Sequence, residues 1–467
     1  MWQSPISLRS RFWTVYCLQS ALTVACLLGS VARAENRPHP DPSRLDIWVF
    51  AGQSNSQGWA LLKAPVPVSP HIFVLDESGH WNIAREPLNP DFYRWTPPPV
   101  EPNILLQRRN LPLRGGRSPQ EFIDEEKKQG IPLGGVGPGL MFADRLHAVT
   151  RRDIGLIMCG TGSPIREWDP NSKPTGELYA HMLTLIRKSG GRVKGLVWYQ
   201  GESDALTPGA AEKYHAALLA LFDGVRRDLR QPDLPIICIQ TGRFAYPYPS
   251  KAQDWERVRE AQRRATLERP HTYLVSSIDL TLEDDIHVSF EGYRRLTARI
   301  AEVALSEVYG LSGYGTPIKF ASAQLIAPES WRPMIRVQFR GVSGRLQAEG
   351  RPAGFEIRAP RPVEDPGAHY PATLTPDVPL YSVYRVDFDP RDPSAVILGL
   401  FDASPILLGH HHPLCGSVSV IYAPGLDPYA NIHDSRDIAI PAFGPVPVTL
   451  PPCREGEMPV VIGKHSG

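Results

Sequence analysis

Apolar residues fall along this chain in two textures. From Leu45 to about Gly310, short unbroken apolar runs alternate with stretches in which apolar positions recur every three or four residues. The runs Ile47–Ala51, Ile154–Cys159, Gly195–Tyr199, Ile236–Gln240 and Tyr273–Ser276 show no polar face, as strands buried on both sides of a parallel sheet require. Gly139–Val149, Glu177–Lys188, Ala210–Leu229, Trp255–Leu267 and Phe290–Val308 read as helices, and in the last of them Leu296, Ile300, Val303 and Ala304 share one side. Five βα units on one parallel sheet predict a three-layer α/β/α domain of flavodoxin-like architecture.

After Gly310 the period changes to two. Met334–Phe339, Gly354–Ile357, Val383–Phe388 and Val418–Tyr422 alternate between dense turn residues, which predicts a C-terminal β-sandwich-like domain over 311–467. Within the first domain one long stretch, about 61–135, breaks the βα pattern. It carries Pro97-Pro98-Pro99, Gly115-Gly116 and the charged run Glu121–Lys128. Loops of that length are functional or disordered, and its place in the sequence suggests a wall of the site described below, the alternative being a solvated surface excursion.

Composition changes this picture only at the edges. A chain of 467 residues exceeds what one core serves, so two domains are expected. The formal net charge of +1 argues against a nucleic-acid partner. Residues 1–34 read as an export signal: Arg9 and Arg11, an apolar stretch from Phe12 to Val31, then Ala32-Arg33-Ala34 as a cleavage site. An uncleaved N-terminal anchor is the alternative, and otherwise no membrane partner is expected. The mature protein would be periplasmic, cell-surface or extracellular. Cys159 and Cys238 sit in predicted strands as buried thiols, while Cys415 and Cys453 are free to form a disulfide after export.

Four short blocks follow predicted strands. Gly52-Gln53-Ser54-Asn55 places a serine in a tight turn at the sheet rim, where ligands of open α/β sheets bind. A serine there also suits a helix N-cap. Gly160-Thr161-Gly162-Ser163-Pro164-Ile165-Arg166-Glu167-Trp168 offers the Gly162 N–H to an oxyanion, or is a plain turn. In Trp198-Tyr199-Gln200-Gly201-Glu202-Ser203-Asp204, the Gln200 amide offers a third donor. Glu202 and Asp204 also resemble a glycosidase carboxylate pair, although Glu202 better suits anchoring a loop. Asp284-Asp285-Ile286-His287 sets an acid beside an imidazole at i, i+3, with Asp284 better spaced than Asp285 or Glu283. His410-His411-His412 suggests metal, but neighbours on a strand point to alternate faces, so a surface loop is the better reading and no metal site is expected.

In this order GQSN, GxSPIxEW, WYQGESD and DDIH resemble the SGNH-type carbohydrate acetylesterases, nearest to the sialate O-acetylesterase domain and related acetylxylan esterases. The resemblance spans about Leu45 to Val308. It implies an SGNH hydrolase fold, ester hydrolysis without metal or cofactor, and a Ser54–His287–Asp284 triad. The oxyanion hole would be built from Ser54, Gly162 and Gln200, with an acetylated carbohydrate as substrate. Thr161-Gly162 departs from the usual Gly-Gly, and Gln200 stands where broader SGNH enzymes have asparagine. Gln53, Asn55, Glu202, Arg166 and Trp168 are the remaining candidates for substrate contact, with Trp59 near the insertion. A sialic acid carboxylate would call on Arg166 or Arg243. Asp427-Pro428-Tyr429-Ala430-Asn431 and Pro441-Ala442-Phe443-Gly444-Pro445 look like endings of such chains, without assigned chemistry. Two rivals stay open: a non-catalytic carbohydrate-binding or cell-surface protein on the same fold, and an SGNH lipase or thioesterase.

Overall fold

The computed structural model describes residues 40–61, 63–88, 135–160, 162–172, 176–326, 332–358, 381–402 and 418–450. The stretch 1–34 expected to be an export signal, the polyproline and charged parts of the insertion, His410–His412, Cys415 and Cys453 lie outside them.

The first part runs β1 (Asp46–Gly52), α1 (Ser54–Gln57), β2 (Ile72–Leu75), β3 (Trp81–Ile83), α2 (Pro138–Thr150) and β4 (Ile154–Gly160). It continues with α3 (Glu177–Lys188), β5 (Val193–Tyr199), α4 (Glu202–Leu206), α5 (Ala211–Asp228), β6 (Ile236–Gln240), α6 (Ala252–Glu268), β7 (Thr272–Ser276) and α7 (Phe290–Val303). Among the described residues these strands form one seven-stranded sheet in the order β3-β2-β4-β1-β5-β6-β7. The chain lays β4 on one side of β1 and β5 on the other. That reversal is the topological switch point, where the carboxyl ends of strands open a crevice.

Successive side chains of each strand enter opposite cores. Ile47, Val49 and Ala51 of β1 join the core under α3, α5 and α6, while Trp48 and Phe50 join the core under α2 and α7. Both faces are apolar, which explains why the strands read as unbroken runs. Cys159 and Cys238 are buried free thiols on the first of these faces.

The sheet is not wholly parallel, and it is wider than five strands. β2 pairs parallel with β4, and β3 closes the edge antiparallel to β2. Both come from the stretch assigned to the insertion. They are four and three residues long, too short to show a period, yet Phe73, Leu75 and Trp81 are buried.

The C-terminal part is β-rich. β8 (Lys319–Ile326), β9 (Met334–Arg340), β10 (Gln347–Ala348), β11 (Phe355–Arg358), β12 (Tyr381–Phe388) and β13 (Ala395–Asp402) come first. β14 (Ser419–Tyr422), β15 (Ile432–His433) and β16 (Phe443–Pro447) follow. A four-stranded sheet β12-β13-β9-β8 and a three-stranded sheet β11-β14-β16 share one apolar core. Ile335, Val337, Leu398 and Leu400 face Val420, Tyr422 and Phe443 in it.

Two polar brackets fasten this part to the α/β part. On α6, the buried Arg259 guanidinium donates to the carbonyls of Thr241 and Gly242 on one side and of Ala423 and Leu426 on the other. Beside it the Gln240 amide exchanges two hydrogen bonds with the Ala442 backbone, at 2.7 and 2.8 Å. On α7, Arg299 is fully buried and contacts Asp279 at 2.6 Å and Asp437 at 2.9 Å, with Arg295 completing the cluster.

Candidate active site

β1 ends on Gly52, whose φ is +140°. A Cβ there would fall inside the Tyr199 carbonyl of β5, so only glycine lets the two strand ends come together. The Gln53 N–H then donates to that carbonyl (3.0 Å), and the chain turns into α1 with Ser54 at its first position. Ser54 does not cap the helix. Its Oγ instead lies 2.9 Å from His287 Nε2.

His287 comes from a loop pinched at its neck. Ser289 N–H donates to Thr281 O (2.9 Å) and Glu283 N–H to His287 O (2.7 Å). The tip is an Asx turn: Asp284 Oδ1 accepts from the Ile286 and His287 backbone N–H groups, at 2.9 and 2.7 Å. Its other oxygen, Oδ2, lies 2.7 Å from His287 Nδ1. One carboxylate therefore shapes the turn and orients the ring, which is the physical content of the i, i+3 spacing. Burial works to raise the Asp284 carboxyl. The His287 hydrogen bond and charge, with the two backbone donors, outweigh it and hold the group below the ordinary carboxylate range. Of the neighbouring residues, Glu283 pairs its carboxylate with Lys63 at 3.1 Å, and the Asp285 backbone carbonyl accepts from Ala245 N–H at 2.8 Å. The Trp59 ring stacks on the His287 ring at 4.8 Å and 23°.

Asn55 locks the serine turn to this loop. It is buried, and its amide donates to Glu202 Oε1 (3.0 Å) and Ile286 O (3.2 Å) while accepting from Val288 N–H (3.0 Å). Tyr293 O–H of α7 donates to the Asn55 backbone carbonyl at 3.1 Å. Gln53 is also buried, and its Oε1 accepts from Gly201 and Ser203 N–H, both at 3.4 Å. The structure thus places Gln53, Asn55 and Glu202 in the framework beneath the serine.

Gln200 is fully buried, and its amide donates to Asp204 Oδ2 (2.6 Å) and to Ser163 O (3.4 Å). Asp204 also accepts from Ile165 N–H (2.9 Å). Burial raises its carboxyl in spite of those bonds. With Glu202 held by Asn55 and Asp204 by Gln200, the two carboxylates brace loops and do not face each other across a glycosidic bond. Gly162 is exposed, and a Cβ there would meet open space.

Trp168 is 0 % exposed, packed edge-on against Trp198 at 5.2 Å and 88°. Its indole belongs to the core, so the sugar contact expected of it is excluded; the turn of Ile165–Trp168 rotates it inward. Arg166 on the same turn points to solvent and pairs with Glu167 at 3.1 Å. Arg243, after β6, pairs with Asp427 at 2.8 Å. Sequence reasoning missed Trp59 as the partner of His287, the Tyr293 contact and the Arg243–Asp427 pair. For Trp59 the available signal was its place five residues after the serine.

Among the described residues, His71, His147 and Asp153 are the one group whose ligand atoms lie close enough to suggest a metal. They sit at the opposite, amino-terminal end of β2 and β4. The two rings stack nearly parallel (4.5 Å, 11°), so their in-plane lone pairs run side by side and do not converge. His71 Nδ1 is already held by Asp153 at 2.8 Å.

A family model described as carbohydrate esterase, sialic acid-specific acetylesterase, matches residues 44–306. The chain is 32% identical over 264 residues to a probable carbohydrate esterase of Arabidopsis thaliana, covering 52% of this chain and 94% of that protein. The solved structure of a carbohydrate acetylesterase from Xanthomonas citri superposes with a TM-score of 0.55 at 22% identity. That alignment covers 85% of this chain and 80% of the other, so the likeness of fold extends into the β-rich part.

Proposed function

This chain belongs to the carbohydrate esterase family of sialic acid-specific acetylesterases, and from that premise we propose that it is an exported serine esterase that removes O-acetyl groups from a carbohydrate through an acetyl-serine intermediate. Membership makes it a carboxylic ester hydrolase acting on carbohydrate esters. The observation that carries the serine mechanism is the unbroken relay from Ser54 Oγ to His287 Nε2 (2.9 Å) and from His287 Nδ1 to Asp284 (2.7 Å) at the switch point of the sheet.

In this reading His287 accepts the Ser54 proton as Oγ attacks the acetyl carbonyl. Asp284 fixes the tautomer and offsets the charge on the imidazolium. The Ser54 and Gly162 N–H groups receive the oxyanion. Gln200 braces the Gly162–Ser163 loop from below, and reaches the oxyanion itself only by releasing Ser163 O, the longer of its two bonds. His287 then protonates the departing sugar oxygen, and a water activated the same way frees acetate. The stacked Trp59 ring limits rotation of the imidazole and shields one of its faces.

Ser54→Ala is expected to abolish acetate release from acetylated glycans while leaving the thermal midpoint within a few degrees of wild type. A fluorophosphonate probe should label the parent protein at Ser54 and leave the variant unlabelled. Unlabelled parent protein would favour the pure binder. Export is supported by the leader pattern and is tested by sequencing the N-terminus of the mature protein, expected to begin at Glu35.

A further inference from the structure

The loop after β6 and the turn after β14 meet beside the triad, and no part of the ester chemistry uses them. The Arg259 bracket aligns the Thr241–Gly242 carbonyls with those of Ala423 and Leu426, and Phe244 N–H donates to Leu426 O at 2.9 Å. One residue further, Ala245 N–H donates to the carbonyl of Asp285, inside the loop that carries Asp284 and His287. The β-rich part therefore reaches the rim of the site through a continuous chain of backbone hydrogen bonds. Along an extended path this places Tyr246 and His287 no more than about 18 Å apart between Cα atoms.

Two features of that rim suit a sugar. Tyr246 is 55% exposed, yet its ring is not loose. It lies over Phe244 (5.9 Å, 22°), which lies over Trp255 of α6 (5.0 Å, 14°). The result is a flat, pre-oriented aromatic face with a polar tip. Three residues before Tyr246, Arg243 forms a partly exposed ion pair with Asp427, with their side chains 31% and 45% accessible. A neutralised pair presents guanidinium donors and carboxylate acceptors side by side, which matches neighbouring hydroxyls on an uncharged ring and leaves no net charge to hold a carboxylate.

We propose that Tyr246, Arg243 and Asp427 form a subsite for an uncharged sugar ring of the glycan whose acetyl group reaches Ser54, so that the C-terminal β-rich region takes part in choosing the substrate. The proposal rests on the esterase reading for its catalytic consequence and gives the Asp427-Pro428-Tyr429 motif a task.

The test uses the full chain, 4-nitrophenyl acetate as an ester without a sugar, and chemically acetylated tetrasaccharides of xylose, mannose and glucose. Tyr246→Ala and Asp427→Ala are expected to raise KM for the best tetrasaccharide about tenfold more than for 4-nitrophenyl acetate, with little change in kcat. Arg243→Ala should act in the same direction, and Arg243→Lys should recover part of the loss. Equal losses on both esters, or none on the tetrasaccharide, overturn the subsite. Binding separates the two readings. In a Ser54→Ala background the tetrasaccharide should bind in calorimetry, and adding Tyr246→Ala should weaken it by a similar factor. If wild type cleaves no ester, the esterase reading fails while this titration still decides the subsite. If none of the three tetrasaccharides binds, the subsite fails by itself.

Discussion

The side chains around Ser54 divide into those that meet the reacting atoms and those that hold them there. Asp284 belongs to the first line of support, and Asp284→Asn should lower kcat about 10³-fold or more with the fold intact, because the ring loses its tautomer and its counter-charge. Asn55 acts at one remove. Asn55→Ala leaves the Val288 N–H and a Glu202 oxygen without their buried partner, which costs about 1–3 kcal/mol per orphaned group. The expected signature is a fall in kcat with KM nearly constant, read beside a lowered melting temperature. Glu86 supplies a pH test at a carboxyl that is not part of the triad. Burial pushes its carboxyl up to about 8. An acid with a raised value contributes stability that is full below its unfolded value of 4.5 and is lost as pH climbs through about 8. Glu86→Gln should therefore flatten the loss of urea stability between pH 5 and pH 8.

At the scale of elements, the site depends on one contact between two strand ends. Gly52→Ala forces a Cβ into the Tyr199 carbonyl at a φ that alanine avoids, so β1 and β5 must part and the Ser54 turn with them. The variant is expected to express poorly or to lose activity outright, measured against wild type in the same assay. This contact also shows why much of the α/β architecture was legible in the chain. Strands with two buried faces cannot hide, and the Asp284–His287 pairing is made within one four-residue turn, so its spacing is visible in the sequence. The orientation of loop side chains was not legible. Trp168 lies on a short turn, where neither period two nor period 3.6 applies, and only the tertiary packing decides that it faces Trp198. β2 and β3 escaped for the opposite reason: regular elements of four and three residues contain too few positions to repeat a pattern. Arg243 and Asp427 meet only because the β-rich part folds back, which no local signal encodes.

The α/β and β-rich parts are tied by paired charges at one bracket and, at the other, by a guanidinium and an amide that bond backbone groups. Asp279 and Asp437 resist burial through the coulombic pull and hydrogen bonds of Arg299 and Arg295, and both stay below the ordinary carboxylate value. Depressed carboxylates give stability that is present above the unfolded value of about 3.8 and lost as pH falls through the folded one. Thermal unfolding should thus soften steeply below pH 4, and Asp437→Asn should bring that softening to neutral pH by leaving part of the buried Arg299 charge unmatched, at a cost of about 3–5 kcal/mol. The Gln240 amide of the other bracket behaves differently. At the end of β6 the Gln240 side chain completes the Ala442 peptide as an adjoining strand would. Anyone grafting a foreign carbohydrate module onto this catalytic half would have to supply, at that one position, a backbone in the same register; a flexible tether alone would leave the rim above β6 unroofed.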